Sequence, residues 1–424
     1  MLKFFQTIFF YLLIFYSSYS IAADVRFNVG SSIIHYDNVN LEVTPDSDEV
    51  STSLNGGIKL SEDNASFTSR LDAQLRVINY HNNIVNDESN ANIISNNLWR
   101  IKPNQFEWYI ADTFTQTAID SLGNDSPTNR QNVNVFSTGP NYIIRINSTN
   151  NLRFEARAEN FSYEEGTDSN RLFIAARWGY DLNSAINITV NDEATTTKFT
   201  DDTVSDYNRN DVYIGVNYLR GLNTLNAEYG YTRINNEQTE DFSGGRYALS
   251  FTNVRTNTSS VRFIYENILT DNGTRILKST DETLDEFGDN TSVNNIFVEQ
   301  VYKARYMKAL SNGELALELG VTNKDYELQS NLNQKDKVAR FNGAWNLKRT
   351  NKIIYSIRYV DRIYQDPLFN RIDEDYEYSV GYLHEFMRNI NLNIQAISKE
   401  RISTIESEEY QDLRFILSIN YSTL

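Results

Sequence analysis

Residues 65–80 read ASFTSRLDAQLRVINY. Alternate positions separate into an apolar set, Phe67, Leu71, Leu75 and Val77, and a polar set, Arg70, Asp72, Gln74 and Arg76. A repeat of two places one set on each face of a β-strand. The pattern is not local. It begins at Val25, Phe27 and Val29 and recurs to the last residues, as at Leu172-Ile174-Ala176-Trp178 and Tyr376-Tyr378-Val380-Tyr382. The reading is roughly 20 strands (range about 18–22), each about 10–13 residues long.

The connections alternate in length. Short ones fall near 61–64, 103–104, 148–151, 183–184, 220–222, 255–257, 310–313, 349–351 and 387–389. Long ones fall near 37–49, 81–91, 117–130, 163–169, 195–207, 235–243, 269–293, 326–336, 365–373 and 402–408. Short turns at one rim and long loops at the other describe an all-β fold: a single closed antiparallel transmembrane β-barrel over 24–424, with periplasmic turns and extracellular loops. A soluble sandwich, solenoid or propeller is the competing architecture. It would need a second layer or a fixed sequence period, and no such period is found.

The first residues, MLKFFQTIFFYLLIFYSSYSIAAD, carry one basic residue, an apolar run and then small residues. This is a secretory signal peptide, 1–23, cut after Ala22 or Ala23. Its apolar run is short for a membrane-anchor helix. The first strand then starts directly after cleavage, which leaves no N-terminal plug. Absence of cysteine excludes disulfides, thiolate metal sites and a lipid-modified cysteine. A net charge of −17 argues against nucleic acid as a partner.

In such a barrel Phe67, Leu71, Leu75 and Val77 face lipid, and the polar set faces a wet lumen. Following the inward phase strand by strand gives the candidate lumen-lining residues. These are Arg70, Asp72, Arg76, Arg100, Glu107, Arg145, Glu155, Arg157, Arg177, Glu228, Arg246, Arg262, Glu299, Lys303, Arg305, Arg340, Arg358 and Arg362. They brace the wall as ion pairs or handle anionic solutes and glycans. The four tryptophans, Trp99, Trp108, Trp178 and Trp345, each lie close to a short turn and form an expected interfacial girdle.

Two details break the phase. Asp112 alternates with Trp108, Ile110 and Phe114, which should face lipid. Val133 and Val135 are odd while Tyr142 and Ile144 are even, so a β-bulge is expected at Gly139-Pro140.

Signals for catalysis are thin. His35, His81 and His384 are far apart in sequence, and no nucleotide-binding, zinc-protease or nucleophile-elbow motif occurs. No catalytic residue, cofactor or metal site is assigned. The acidic stretch Asp281–Asp289 does not have EF-hand spacing and reads as a solvated loop.

The stretch Asp125-Ser126-Pro127-Thr128-Asn129-Arg130-Gln131-Asn132-Val133 and onward to Gly139-Pro140 is specific. So are Leu98-Trp99, Phe106-Glu107-Trp108 and Asp112-Thr113-Phe114 upstream. Across 98–146 the chain resembles a family of bacterial outer-membrane β-barrels encoded near exosortase (PEP-CTERM) and exopolysaccharide loci. The resemblance implies outer-membrane residence and a role in exopolysaccharide export or surface assembly. Exopolysaccharide and periplasmic export proteins would be partners besides lipid and lipopolysaccharide. Asn129-Arg130-Gln131 reads as a functional loop end or as a structural cap on the next strand. The final segment, Phe415 to Leu424, resembles the strand read by the barrel-assembly machinery, although it ends in leucine rather than an aromatic residue.

The resulting expectation is an outer-membrane pore, with exopolysaccharide as first cargo. A general diffusion porin and a closed-lumen surface scaffold are the alternatives. The loop 269–293 is the one internal segment expected to constrict the lumen.

Overall fold

A computed structural model describes residues 23–44, 48–120, 122–256, 258–278, 296–365 and 370–423. The signal peptide and the acidic stretch Asp281–Asp289 lie outside the described residues, apart from Ala23.

The strands are β1 (Asp24–Tyr36), β2 (Glu49–Asp63), β3 (Phe67–Tyr80), β4 (Glu88–Lys102) and β5 (Phe106–Ala118). They continue as β6 (Arg130–Arg145), β7 (Asn150–Tyr163), β8 (Ser169–Asn183), β9 (Ile186–Phe199) and β10 (Tyr207–Arg220). Next come β11 (Asn223–Asn236), β12 (Phe242–Thr256), β13 (Ser259–Asp271), β14 (Ile296–Leu310) and β15 (Gly313–Tyr326). The last are β16 (Gln334–Lys348), β17 (Asn351–Tyr364), β18 (Ile372–Met387), β19 (Ile390–Ser403) and β20 (Tyr410–Ser422). One helix, α1 (Asn272–Lys278), follows β13.

Every strand pairs antiparallel with its sequence neighbours, and β1 pairs with β20, so the 20-stranded sheet closes on itself. Closure leaves no open edge, which is the condition for a sheet to stand in lipid. Short and long connections alternate strictly around the barrel. Asparagines shape several tight ends. The Asn64 carboxamide oxygen accepts from the Ser66 and Phe67 amides, and Asn147 and Asn183 do the same in their own turns.

Long-range packing fixes which face is inside. Ile276 of α1 is 0% exposed and packs against Val133, Val135, Phe161 and Tyr163 of β6 and β7. Those strands are far around the barrel from β13, and only an inner face is shared at such a distance. The opposite phase is therefore the exterior. It carries Phe154, Ile174, Trp178, Tyr229, Leu249, Phe263, Leu319 and Val380, all exposed. Phe27, Leu54, Leu75 and Val77 belong to the same apolar belt.

The expected bulge at Gly139-Pro140 is a correction. The β6–β7 register is unchanged from Thr138–Ala158 to Asn141–Glu155, with the ladder interrupted between. Proline has no N–H to donate there. Arg157 covers the gap, its Nη1 donating to the Pro140 and Ala156 carbonyls at 3.0 and 2.7 Å and its Nη2 to Asn141 Oδ1. The phase never slips: Val133 and Val135 face inward, under α1, while Tyr142 and Ile144 are exposed on the exterior. Asp112 does keep the exterior phase, opposite Ser95 and Phe136, but is covered at 6% exposure.

A Cβ on Gly139 would lie 1.9 Å from the Ala156 carbonyl oxygen, which is backbone and cannot step aside. Gly139→Val should therefore cost about 3 kcal/mol or more through overpacking. Gly56→Val, where nothing lies within 4 Å of the new Cβ, should fold like the parent. Urea midpoints and the heat-dependent gel shift of the refolded barrel measure both; equal midpoints would remove the steric argument.

Candidate functional site: a roofed lumen

The inward phase carries charge in ordered rows. On register, Arg305 (β14) stands beside Glu318 (β15), then Arg340 (β16), Arg358 (β17), Glu377 (β18), Lys399 (β19) and Asp412 (β20). Contacts include Lys303–Glu318 at 3.2 Å and Arg305–Glu318 at 4.0 Å. On the other side, Arg153 forms an ion pair at 2.7 Å with Glu155 of its own strand, Arg177 bridges Glu155 and Glu193, and Arg246 meets Glu228 at 2.7 Å. Arg362 meets Asp336 at 3.2 Å. Guanidinium forks joined to carboxylates on neighbouring strands lock both side chains, so this part of the wall is braced.

The predicted lumen residues divide accordingly. Glu107, Glu155, Arg157, Arg177, Glu228, Arg246, Lys303, Arg305 and Arg362 sit in the braced web, and Arg262, Arg340 and Arg358 are also engaged. Arg100 and Arg145 lie at the short-turn end, Arg100 on the Asn64 carbonyl and Thr68, Arg145 on Asn104 Oδ1 at 3.1 Å. Glu299 meets Arg275 of α1 at 2.5 Å. Asp72 pairs with Lys59 at 2.7 Å. Arg70 and Arg76 stay exposed on the inner face of β3.

Two segments fold into the outer mouth. The expectation of a single constricting loop is too narrow: residues 122–129, before β6, also cross the lumen. Leu122 packs against the buried cluster of Phe297, Tyr326 and Leu332, on the opposite wall. Arg371 Nη1 donates to the Leu122 carbonyl at 2.8 Å, and Arg401 Nη1 donates to Asn124 Oδ1 at 2.6 Å. Asn124 Nδ2 in turn reaches the Leu41 carbonyl at 2.9 Å. Burial works against the Arg371 charge, but Asp373, Tyr364 and Glu408 together outweigh it and hold the guanidinium pKa above its ordinary value. Asn129 closes the loop on itself, donating to the Asp120 and Asn124 carbonyls at 2.8 and 3.0 Å and accepting from the Asp120 amide at 2.8 Å. Arg130 holds Asp125 at 3.0 Å, and Gln131 Oε1 accepts from the Glu165 amide. The geometry of this triplet is that of a loop staple.

The second segment is α1. Asp271 caps it, accepting from the Thr274 amide at 2.8 Å and the Thr274 hydroxyl at 2.6 Å. The same carboxylate receives Arg171 Nη2 from β8 at 2.8 Å, with Arg209 of β10 at 3.8 Å. Arg171 Nη1 also donates to Thr274 Oγ1 at 2.9 Å. Ile276 is thereby seated on β6 and β7. Burial of an aliphatic side chain of this size contributes about 1.5–3 kcal/mol.

The histidines are not brought together. His35 stacks on Phe415, His81 meets Thr52 and His384 meets Asn351. Among the described residues no group of three or more His, Cys, Asp or Glu is placed to hold a metal ion.

Sequence reasoning missed Leu122, Asn124, Arg371 and Arg401. The signal was present in Val133 and Val135: apolar residues on a lumen phase require a cover.

No protein-family model matches the chain, and no characterised protein matches it in sequence. Solved structures match in fold. A point mutant of the ferric enterobactin receptor PfeA of Pseudomonas aeruginosa aligns with a TM-score of 0.52 and 8% identity, covering 96% of this chain and 81% of that one. A second point mutant of the same receptor, in complex with enterobactin, gives 0.50 and 8%, covering 96% and 82%. The outer membrane protein OpdK of Pseudomonas aeruginosa gives 0.42 and 10%, covering 94% and 99%. At these identities the first two likenesses establish a shared barrel fold. Together with the closed sheet and its exterior apolar belt, this places the chain in the bacterial outer membrane, in contact with bilayer and lipopolysaccharide.

Proposed function

We propose that this outer-membrane barrel is a channel for small polar solutes, narrowed at its outer mouth by residues 122–129 and by α1. One observation carries the reading. Below the roof, Arg70, Gln74 and Arg76 point inward and are nevertheless exposed, so the lumen beside β3 holds water. A scaffold with a filled lumen would bury them. Twenty strands enclose enough width for an aqueous path unless something fills it.

Export of exopolysaccharide is the finer reading that the resemblance over 98–146 suggests. A polymer would have to thread past residues 122–129, which reach the far wall through Leu122. Small solutes pass a narrowed mouth more readily, and the channel reading therefore takes them as cargo. The tryptophans suit an interfacial girdle: Trp99, Trp178 and Trp345 are exposed on the exterior near short turns.

Single-channel recording of the refolded mature protein in a planar bilayer tests the reading. A small, steady conductance is expected. Silence from a barrel that migrates as folded would overturn the channel and favour the scaffold.

A further inference from the structure

The solute that the channel admits can be argued from β3, and this step rests on the channel reading above. Most inward arginines of the barrel stand beside a carboxylate. Arg70 and Arg76 make no such contact: among the described residues, no carboxylate oxygen lies within ion-pairing distance of either, Asp63 acting on Arg70 only at longer range. Their neighbours across the sheet are neutral. Arg76 stands between Asn55 on β2 and Asn90 on β4. Arg70 stands between Ser61 and Asn96, and Gln74 between Gly57 and Asn92. The carboxylate on this face of β3, Asp72, is occupied by Lys59 at 2.7 Å.

Exposure accompanies charge. At two inward positions beside this stretch, Gly30 and Gly57, the carboxamides of Asn420 and Asn28 lie where a side chain would, which adds further amides to the surface. Arg70, Gln74 and Arg76 are exposed, as is Asn92. The two guanidiniums are six residues apart on one face, which separates them by roughly 20 Å along the strand. They form two stations along the barrel wall, with amides between them.

We infer that the inner face of β3, with the facing amides of β2 and β4, is a binding track for small hydroxylated anions such as sugar acids. An unneutralised guanidinium in a pore draws anions and grips carboxylate with paired donors. Asparagine and glutamine offer both a donor and an acceptor, which suits hydroxyl groups. In the braced wall Arg177, Arg246 and Arg362 are already satisfied by carboxylates. The exposed stations attract an anion without holding it tightly, as transport requires.

The test is calorimetric titration of the refolded full-length mature barrel in detergent with gluconate, using glucose and chloride as controls. Binding of gluconate is expected, stronger than that of glucose and weakened by added salt. The double variant Arg70→Gln/Arg76→Gln should weaken it by about tenfold or more, since each charge-assisted contact is worth a decade in affinity. Urea midpoints of parent and variant confirm that both are folded. Parent and variant are also compared by reversal potential in a potassium chloride gradient, where anion preference is expected in the parent alone. No gluconate binding by the parent, or equal binding by the double variant, overturns the track. A barrel that conducts without binding gluconate loses the track and keeps the channel. A silent barrel that binds gluconate through these two arginines keeps the track and loses the channel.

Discussion

Replacing residues 120–128 with a short glycine–serine linker should raise single-channel conductance several-fold. The loop is held across the mouth by one apolar anchor and a small set of hydrogen bonds. Leu122 supplies the anchor, in the cluster with Phe297, Tyr326 and Leu332. Arg371, Arg401 and the Leu41 carbonyl supply the bonds. None of these belongs to the barrel ladder, and the wall keeps its own pairing when they are lost. The barrel should therefore refold normally and migrate as the parent does. Milder versions should follow the same order: Leu122→Ala, then Leu122→Ala with Asn124→Ala. Conductance indistinguishable from the parent in the linker variant would mean that the loop does not limit flow.

Asp271→Ala should release α1. The substitution strips a buried Arg171 of its carboxylate, and breaking one side of such a pair costs about 3–5 kcal/mol because a buried charge is left uncompensated. It also removes the helix cap on Thr274. Together these exceed the stabilisation that Ile276 supplies by burial. The expected result is loss of amide-exchange protection at 273–276, noisy recordings with larger openings, and little change in the ladder of β6 to β8. The double variant Asp271→Leu/Arg171→Met separates charge from packing. It fills the same volume without charge and should restore quiet recordings, as buried ion pairs replaced by apolar residues of similar volume often do. If Asp271→Ala retains full protection at 273–276, the ion pair is not the latch.

The barrel was legible in the chain because membrane and lumen impose opposite demands on adjacent residues. Nothing else requires Phe67, Leu71 and Leu75 to alternate with Arg70, Asp72 and Arg76 in a strand of fourteen residues. The lengths of the connections were legible for the same reason, since turns at one rim need only reverse the chain. What resisted was everything inside. Val133 and Val135 follow the lumen phase, but their apolar character mimics the exterior belt, so the phase looked broken at Gly139-Pro140. The true partner, Ile276, lies far along the sequence, and no local pattern announces it. Leu122 is equally silent, a single leucine in a polar loop whose pocket is built by β14, β15 and the connection after β15. The charges were legible as a set but not as pairs. Register decides that Glu318 meets Arg340 while Arg76 meets two asparagines, and register is a property of the closed sheet.

The rows of charge bear on assembly as well as on the pore. The outer apolar belt cannot distinguish the correct alignment of two strands from one displaced by two residues, because a shift of two returns every side chain to its own face. The inner row can. Sliding β15 by two against β16 would set Glu318 opposite Val338 or Asn342 instead of Arg340. Sliding β14 against β15 would set Arg305 opposite Ala316 or Gly320. Each such slip strands a charge beside a neutral neighbour and forfeits a cross-strand pair. The belt thus tells each hairpin which way to face, and the ionic row tells it where to stop.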